Sequence, residues 1–167
     1  MVKTVSDAFS DDLIASLPSL RRFALSLCKR GDVADDLVQL TAERAFKARA
    51  SYDPSTRLDA WLFRILRNAW IDMTRKQSTR GTEIDVVDTP EIISVDGRDV
   101  VEAKITLNEA EKALEALPED QRAVLLLVCV EGLSYAETSQ ALDIPKGTVM
   151  SRLARGREAL ATQLGIK

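Results

Sequence analysis

The chain has 167 residues, with 23 lysines and arginines against 26 acidic residues and a formal net charge of -3. This length allows one large domain or two small ones. The absence of histidine removes the commonest general base and a frequent zinc ligand. With only two cysteines, a disulfide scaffold or a zinc site is disfavoured. We therefore predict a protein that is not an enzyme, with no catalytic residues, cofactor or metal.

The charge is unevenly distributed along the chain. Residues 1–76 carry thirteen basic and ten acidic side chains, whereas residues 77–103 carry two basic and seven acidic ones. The second stretch also lacks a sustained apolar period and contains Gly81 and Pro90. Such a composition is typical of a linker. It predicts two modules, 1–76 and 104–167, joined by the acidic linker 77–103.

The N-terminal stretch does not have the basic-then-apolar pattern of a signal peptide. The longest apolar run, VLLLVCV at 124–130, is far too short to span a bilayer. We therefore expect a cytoplasmic protein. We also expect the first ten residues to form a loose tail.

Cys28 and Cys129 each stand alone in an apolar stretch, which favours buried, reduced thiols.

Apolar spacing predicts that the first module is built from three helices, 11–29, 33–48 and 58–76. The third helix mixes Trp61 and Trp70 with several arginines. Aromatic side chains beside arginines suit base stacking and phosphate contact, although tryptophans are also common core anchors. The scarcity of glycine and proline and the lack of alternating strand patterns predict an all-α fold.

The second module ends in a predicted helix-turn-helix. A helix at 104–117 with Leu107 facing inward and an apolar helix at 119–131 lead into it. Ser134 and Glu137 form the pattern of a capping box for the next helix. The following helix buries a stripe of Val149, Leu153, Gly156, Leu160 and Leu164 and carries a basic face. Such a unit commonly places its second helix in the DNA major groove, but many helical hairpins bind no DNA and a basic face is often only solvated.

Three segments, taken together and in order, resemble bacterial sigma factors of the extracytoplasmic-function group. ADDLVQLTAERAF (34–46) is similar to the family's polymerase-binding helix, and DAWLFRILRNAWIDMTRK (59–76) to its segment that melts and reads the −10 promoter element. The segment 117–160 resembles the module that reads the −35 element. LPSLRRFALSLC and WLFRILRN are also similar to the general-stress-response branch of alphaproteobacteria. The chain departs from the family at Leu40, where an acidic residue often follows the glutamine.

The resemblance implies an alternative sigma factor that binds core RNA polymerase through its β′ and β subunits and directs it to promoter DNA. It also implies a stress response and an anti-sigma factor as partner. The implied polymerase-binding residues are Asp35, Asp36, Gln39, Leu40 and Glu43. The implied −10 residues are Tyr52, Arg57, Trp61, Arg64, Arg67, Asn68, Arg75 and Lys76. The implied −35 residues are Lys146, Thr148, Ser151, Arg152, Arg155 and Arg157.

Two other functions fit parts of this pattern. One is a sigma-like mimic that binds an anti-sigma protein without driving transcription; the basic helices argue against it, because a mimic does not need them. The other is a helix-turn-helix repressor that binds DNA as a dimer. The polymerase-like first module and the lack of an obvious dimer helix argue against this second alternative.

Overall fold

A computed structural model of the chain describes residues 5–80 and 101–165 and is all-α, with no strand in these residues. The first module contains α1 (Val5–Cys28), α2 (Gly31–Ala48) and α3 (Leu58–Arg80), with a short 3-10 turn at Arg49–Ser51. The second contains α4 (Val101–Glu115), α5 (Glu119–Leu125), a π-helical turn (Leu126–Val130), α6 (Tyr135–Leu142) and α7 (Lys146–Leu164). The predicted all-α architecture with two modules is confirmed. Of the predicted linker, residues 81–100 lie outside the described residues, while α3 and α4 include its two ends.

The core of the first module forms where α1, α2 and α3 pack against one another. Phe23 and Phe63 are fully buried and meet edge to face, with ring centroids 5.3 Å apart. Leu37 and Thr41 of α2 are also fully buried, as the apolar spacing predicts. The hydroxyl of Thr41 donates to the carbonyl of Leu37 at 2.7 Å, so its burial leaves no unpaired donor.

The N-terminal segment differs from its prediction. Helix α1 begins at Val5, so the loose tail predicted for the first ten residues is wrong for residues 5–10. The physical reason is a tertiary contact, because Phe9 packs against Phe46 of α2 and Trp61 of α3. An isolated helix end has no such contact and would fray.

In the second module, an apolar layer lies between α5 and α7 and continues into the core of the first module. Val149, Leu153 and Gly156 are buried as predicted. Gly156 is required by close approach, because a Cβ at this position would lie 2.7 Å from Cδ1 of Leu125. The prediction that Leu107 faces inward is wrong, since this side chain is 60% exposed.

The two modules pack directly on each other, α3 against α6 and α1 against α5. Arg122 of α5 lies buried at this contact, where its Nε donates to the carbonyl of Ser26 at 2.7 Å. Its Nη1 donates to the carbonyls of Leu117 at 2.9 Å and Glu115 at 3.2 Å. Burial lowers the pKa of Arg122. These hydrogen bonds offset the cost of removing a guanidinium from water, and they connect α1 to the start of the second module.

The cysteines are not both buried. Cys28 is half-buried and its thiol donates to the carbonyl of Arg30 at 3.3 Å, but Cys129 is exposed. The predicted burial of Cys129 is therefore wrong, because this residue lies on the outer side of the π-helical turn. Within residues 5–80 and 101–165, none of the helices is long and apolar enough to cross a membrane.

Candidate nucleic-acid interface

Local hydrogen bonds define the helix-turn-helix. The hydroxyl of Ser134 accepts the backbone N–H of Glu137 at 3.1 Å and so caps α6, as predicted. Asp143 ends this helix in the left-handed conformation, with φ of 52°. The hydroxyl of Ser139 donates to the carbonyl of Ile144 at 2.5 Å, and α7 begins at Lys146 two residues later. The turn between the helices is therefore fixed by short-range contacts.

Burial of the apolar stripe of α7 leaves a polar face on the opposite side. The predicted −35 residues of α7 are exposed except for two that are half-buried, Thr148 and Arg152. Arg152 lies close to an acid of α5, with its Nε 3.4 Å from Oδ2 of Asp120. Arg157 donates from Nη2 to the Sγ of Cys129 at 3.9 Å.

Met150 was not among the predicted −35 residues, yet it is 52% exposed on α7 beside Ser151. Its exposure was not predicted, because an apolar residue in an amphipathic helix is normally assigned to the core. Its spacing gave no signal of exposure, since Met150 precedes buried Leu153 by three residues, a separation that is typical of one helical face.

The predicted −10 residues of α3 lie mainly on the surface. Arg64, Asn68, Arg75 and Lys76 are exposed, whereas Trp61 and Arg67 are half-buried. Trp70, the second tryptophan of this helix, donates from its Nε1 to Oε1 of Glu119 at 3.2 Å. Both tryptophans pack against the core while keeping one edge near the surface.

The loop before α3 is held in one shape by its own side chains. The hydroxyl of Tyr52 donates to the carbonyl of Thr56 at 2.6 Å, and burial raises the pKa of this phenol. Asp53 accepts the N–H of Ser55 at 3.0 Å and its hydroxyl at 2.8 Å, which lowers the pKa of the Asp53 carboxyl. The loop 52–57 is thus preorganised before any ligand binds.

Arg57, at the end of this loop, contacts the second module. Its Nη1 donates to the carbonyl of Gly132 at 2.8 Å, and its Nη2 to the carbonyl of Glu131 at 3.0 Å. Nη2 also lies 2.6 Å from Oδ2 of Asp59, the main cause of a raised pKa at Arg57. Its Nε is 3.6 Å from Oε2 of Glu137. The Glu137 carboxylate, which the capping box would direct back to Ser134, therefore faces Arg57 of the first module instead.

Two cavities lie between the modules and bring predicted DNA-binding residues together. One, of about 350 Å³, is lined by Thr56, Arg57, Trp61 and Arg64 of the first module and Gln140 of the second. The other, of about 430 Å³, contains residues from both predicted DNA surfaces, namely Arg67, Arg152 and, beside them, Trp70. In this packed arrangement, the two predicted DNA surfaces therefore meet at the second cavity, through Arg67 and Arg152.

The predicted polymerase-binding residues lie on α2. Asp36, Gln39 and Glu43 are exposed, and Asp35 accepts the Nε of Arg21 at 3.0 Å. Leu40, the position at which the chain departs from the family pattern, is half-buried and packs against the core. None of these residues lines either of the two cavities.

Comparison with known families identifies both modules. Residues 13–80 match the Sigma-70 region 2 family, and residues 107–160 match the Sigma-70 region 4 family. The extracytoplasmic-function (ECF) RNA polymerase sigma factor EcfG of Rhodopseudomonas palustris is 38% identical over 160 residues, covering 96% of this chain and 87% of that protein. The chain belongs to the ECF sigma factors. A second relative of this sigma factor, SigW of Bacillus subtilis, is 32% identical and covers 95% of the chain and 89% of its own length.

Solved structures share the arrangement of this sigma factor. The sigma factor RpoE of Bartonella quintana, in complex with the anti-sigma factor NepR, is 33% identical, with a TM-score of 0.75 over 96% of this chain and 98% of that one. CnrH, in complex with the cytosolic domain of CnrY, is 25% identical, with a TM-score of 0.66 over 96% and 89% of the two chains. The likeness covers both modules.

Proposed function

We propose that this chain is an alternative sigma factor that binds core RNA polymerase and directs it to specific promoters. The observation that carries the proposal is the exposed polar face of α7. It lies opposite a buried apolar stripe, inside a helix-turn-helix, and follows a region 2 module in the same chain. The α2 face with Asp36, Gln39 and Glu43 would bind the β′ subunit, while the second module would bind the β subunit.

The chemistry of α7 suits recognition of a −35 duplex. The exposed Arg155 can bind guanine O6 and N7 in a bidentate way, which is worth about 1–3 kcal/mol of discrimination. Lys146 and Arg157 are suited to phosphate contacts, which position a helix without selecting sequence. Met150 would supply an apolar contact of the kind that recognises a thymine methyl group. The exposed and half-buried residues of α7 thus divide into readers of bases and binders of the backbone.

The first module would open and read the −10 element. Extruding a base costs a few kcal/mol, which a prepared pocket must recover. The rigid loop 52–57 and the indole of Trp61 offer a hydrogen-bonding wall and a stacking surface for an extruded base. The exposed cations of α3, which include Arg64 and Arg75, would hold the strand backbone.

The packed arrangement would be an inactive state of this sigma factor. The two elements are centred about 25 base pairs apart, or roughly 85 Å of B-DNA at 3.4 Å per pair. Two modules in direct contact cannot reach both, and Arg57 is occupied by backbone carbonyls of the second module. The modules must therefore separate on the promoter. Because RpoE of B. quintana was solved with an anti-sigma factor, we propose that an anti-sigma factor also binds this chain. The proposed role in a stress response is supported by the resemblance of LPSLRRFALSLC and WLFRILRN to the general-stress-response branch.

Run-off transcription with purified core polymerase on a promoter library tests this proposal. We expect the chain to select promoters that share one −35 and one −10 sequence. Binding to core polymerase without any selected promoter would contradict the proposal. Binding to an anti-sigma protein with neither polymerase binding nor transcription would instead identify a sigma-like mimic.

A further inference from the structure

Four aromatic rings from three helices and a loop meet at the edge of the first module. The ring of Phe9 in α1 lies 5.7 Å from Phe46 of α2, 6.3 Å from Tyr52 of the loop and 6.3 Å from Trp61 of α3, measured between centroids. Tyr52 and Trp61 are themselves 5.1 Å apart. We call these four residues the aromatic cluster. Phe9 is its central member, because it contacts the other three rings.

Position and burial distinguish this cluster from the module core. The core pair Phe23 and Phe63 is fully buried, whereas Phe9 is half-buried and Phe46 is 39% exposed. Phe9 also precedes the residues that match Sigma-70 region 2, which begin at residue 13. The cluster therefore lies at the surface beside the loop 52–57, and part of it comes from outside the matched region.

A short chain of contacts connects Phe9 to the loop. The Phe9 ring covers Tyr52 and Trp61, which restricts the orientation of both. The Tyr52 hydroxyl then holds the carbonyl of Thr56 at 2.6 Å, immediately before Arg57. Without Phe9, the Tyr52 ring would lose a packing partner and become more mobile. Its hydrogen bond to Thr56 would then fix the loop less firmly.

We infer that Phe9 is a positioning residue for reading the −10 element, acting through Tyr52 and Trp61 on the loop 52–57. This inference rests on the proposed function, because it assumes that the loop and the Trp61 indole receive an extruded base. Phe9 touches no base itself. Its contribution is to fix the wall and the stacking surface of the base pocket before DNA arrives.

The test compares three variants of the full chain, each with core polymerase. Phe9→Ala removes the central ring, and Phe9→Tyr retains it. Ile14→Ala, on the same helix at a side chain that is 63% exposed, is the matched control. The first readout is −10 discrimination, the run-off transcription from a promoter with the selected −10 sequence divided by that from a promoter with one changed −10 base. Discrimination at −35 is measured in parallel as the same ratio for a promoter with one changed −35 base. A separate readout without polymerase is the fluorescence of Trp61 in a Trp70→Phe background, which leaves one of the chain's two tryptophans.

We expect Phe9→Ala to reduce −10 discrimination by about fivefold or more, since a single base contact is worth roughly that factor or greater. Discrimination at −35 and affinity for core polymerase should not change, and Phe9→Tyr should retain −10 discrimination to within about twofold because the ring remains. Trp61 emission should shift in Phe9→Ala but not in Ile14→Ala. A general loss of fold would instead lower both discrimination ratios and polymerase affinity together, and that result would overturn a positioning role.

Unchanged −10 discrimination in Phe9→Ala, with a transcribing wild-type chain, would overturn this inference and leave the proposed function intact. If the wild-type chain directs no promoter-specific transcription, the proposed function fails and the role in DNA reading fails with it. In this second case the fluorescence shift would still show whether Phe9 packs on Trp61, because the emission of Trp61 does not depend on transcription.

Discussion

Arg57 and Gly132 connect the two modules through one hydrogen bond, in which Nη1 of Arg57 donates to the Gly132 carbonyl at 2.8 Å. Gly132 has a positive φ of 71°, which ends the helical segment before α6 and turns its carbonyl towards the loop of the first module. The same arginine is a predicted −10 residue. Under the proposed function, contact with the second module and contact with DNA exclude each other at this side chain.

This relationship predicts that Arg57→Ala will favour separated modules. Loss of hydrogen bonds from an exposed arginine should weaken the packed arrangement by roughly 1 kcal/mol, or about fivefold in population. Small-angle X-ray scattering should report a larger radius of gyration for the variant. Arg49→Ala, which removes the same charge at another exposed site, is the control. Identical scattering from Arg57→Ala and wild type would show that Arg57 does not hold the modules together.

Arg155 is predicted to contribute to −35 recognition. Arg155→Ala should weaken promoter binding by the polymerase complex by about 1–3 kcal/mol and relax specificity at one base. Lys146→Ala should instead weaken binding to all sequences. It should also reduce the slope of log binding constant against log salt concentration by about 1. Electrophoretic mobility shifts over a range of salt concentrations distinguish the two. Full promoter affinity in Arg155→Ala, with polymerase affinity unchanged, would remove Arg155 from the interface.

Gly156 and Gly147 offer a matched pair on α7. An added Cβ at Gly156 would meet Cδ1 and Cγ of buried Leu125 at 2.7 and 3.2 Å, whereas one at Gly147 would meet nothing within 4 Å. Alanine at either site gains helix propensity of up to about 1 kcal/mol, but overpacking at Gly156 should cost about 1–3 kcal/mol. Thermal unfolding should therefore show Gly156→Ala to be less stable than Gly147→Ala. The opposite order would mean that Leu125 moves aside at little cost.

Among the arginines whose side chains the structure describes, Arg122 should be the most sensitive to substitution. Arg122→Met retains much of the apolar stem but leaves the carbonyls of Ser26 and Leu117 without their donor. Hydrogen bonds from a charged donor contribute about 1.5–3 kcal/mol each, so the free energy of unfolding should fall by at least about 2 kcal/mol. Urea denaturation measures this loss. Arg64→Met, at an exposed arginine of α3, should change stability by less than about 0.5 kcal/mol.

The two thiols should react at very different rates. Burial raises the pKa of Cys28, so less of its reactive thiolate is present near neutral pH, and its rate should continue to rise with pH above the ordinary thiol range. Cys129 is exposed and should react with Ellman's reagent at least about tenfold faster at pH 8. The Cys129→Ser variant isolates the slower thiol, and denaturation should abolish the difference. Equal rates in the folded protein would contradict the burial of Cys28.

The helix-turn-helix could be predicted from sequence because its signals are local. The Ser134 cap, the break at Asp143 and the spacing from Val149 to Gly156 each act within a few residues, and all three occur in the structure. Apolar spacing gave a wrong prediction of burial where the side chain has no apolar layer to pack against. Leu107 is exposed although its spacing suggests a buried face.

The sequence by itself determined the all-α architecture and the placement of the candidate DNA-reading helix, since helical periodicity and capping need no knowledge of the rest of the chain. The tertiary structure alone decided that Phe9 is helical, that Arg122 is buried and that Arg57 contacts Gly132. Each of these depends on a partner far away in sequence. Such contacts form only when the modules pack, and no local pattern encodes them.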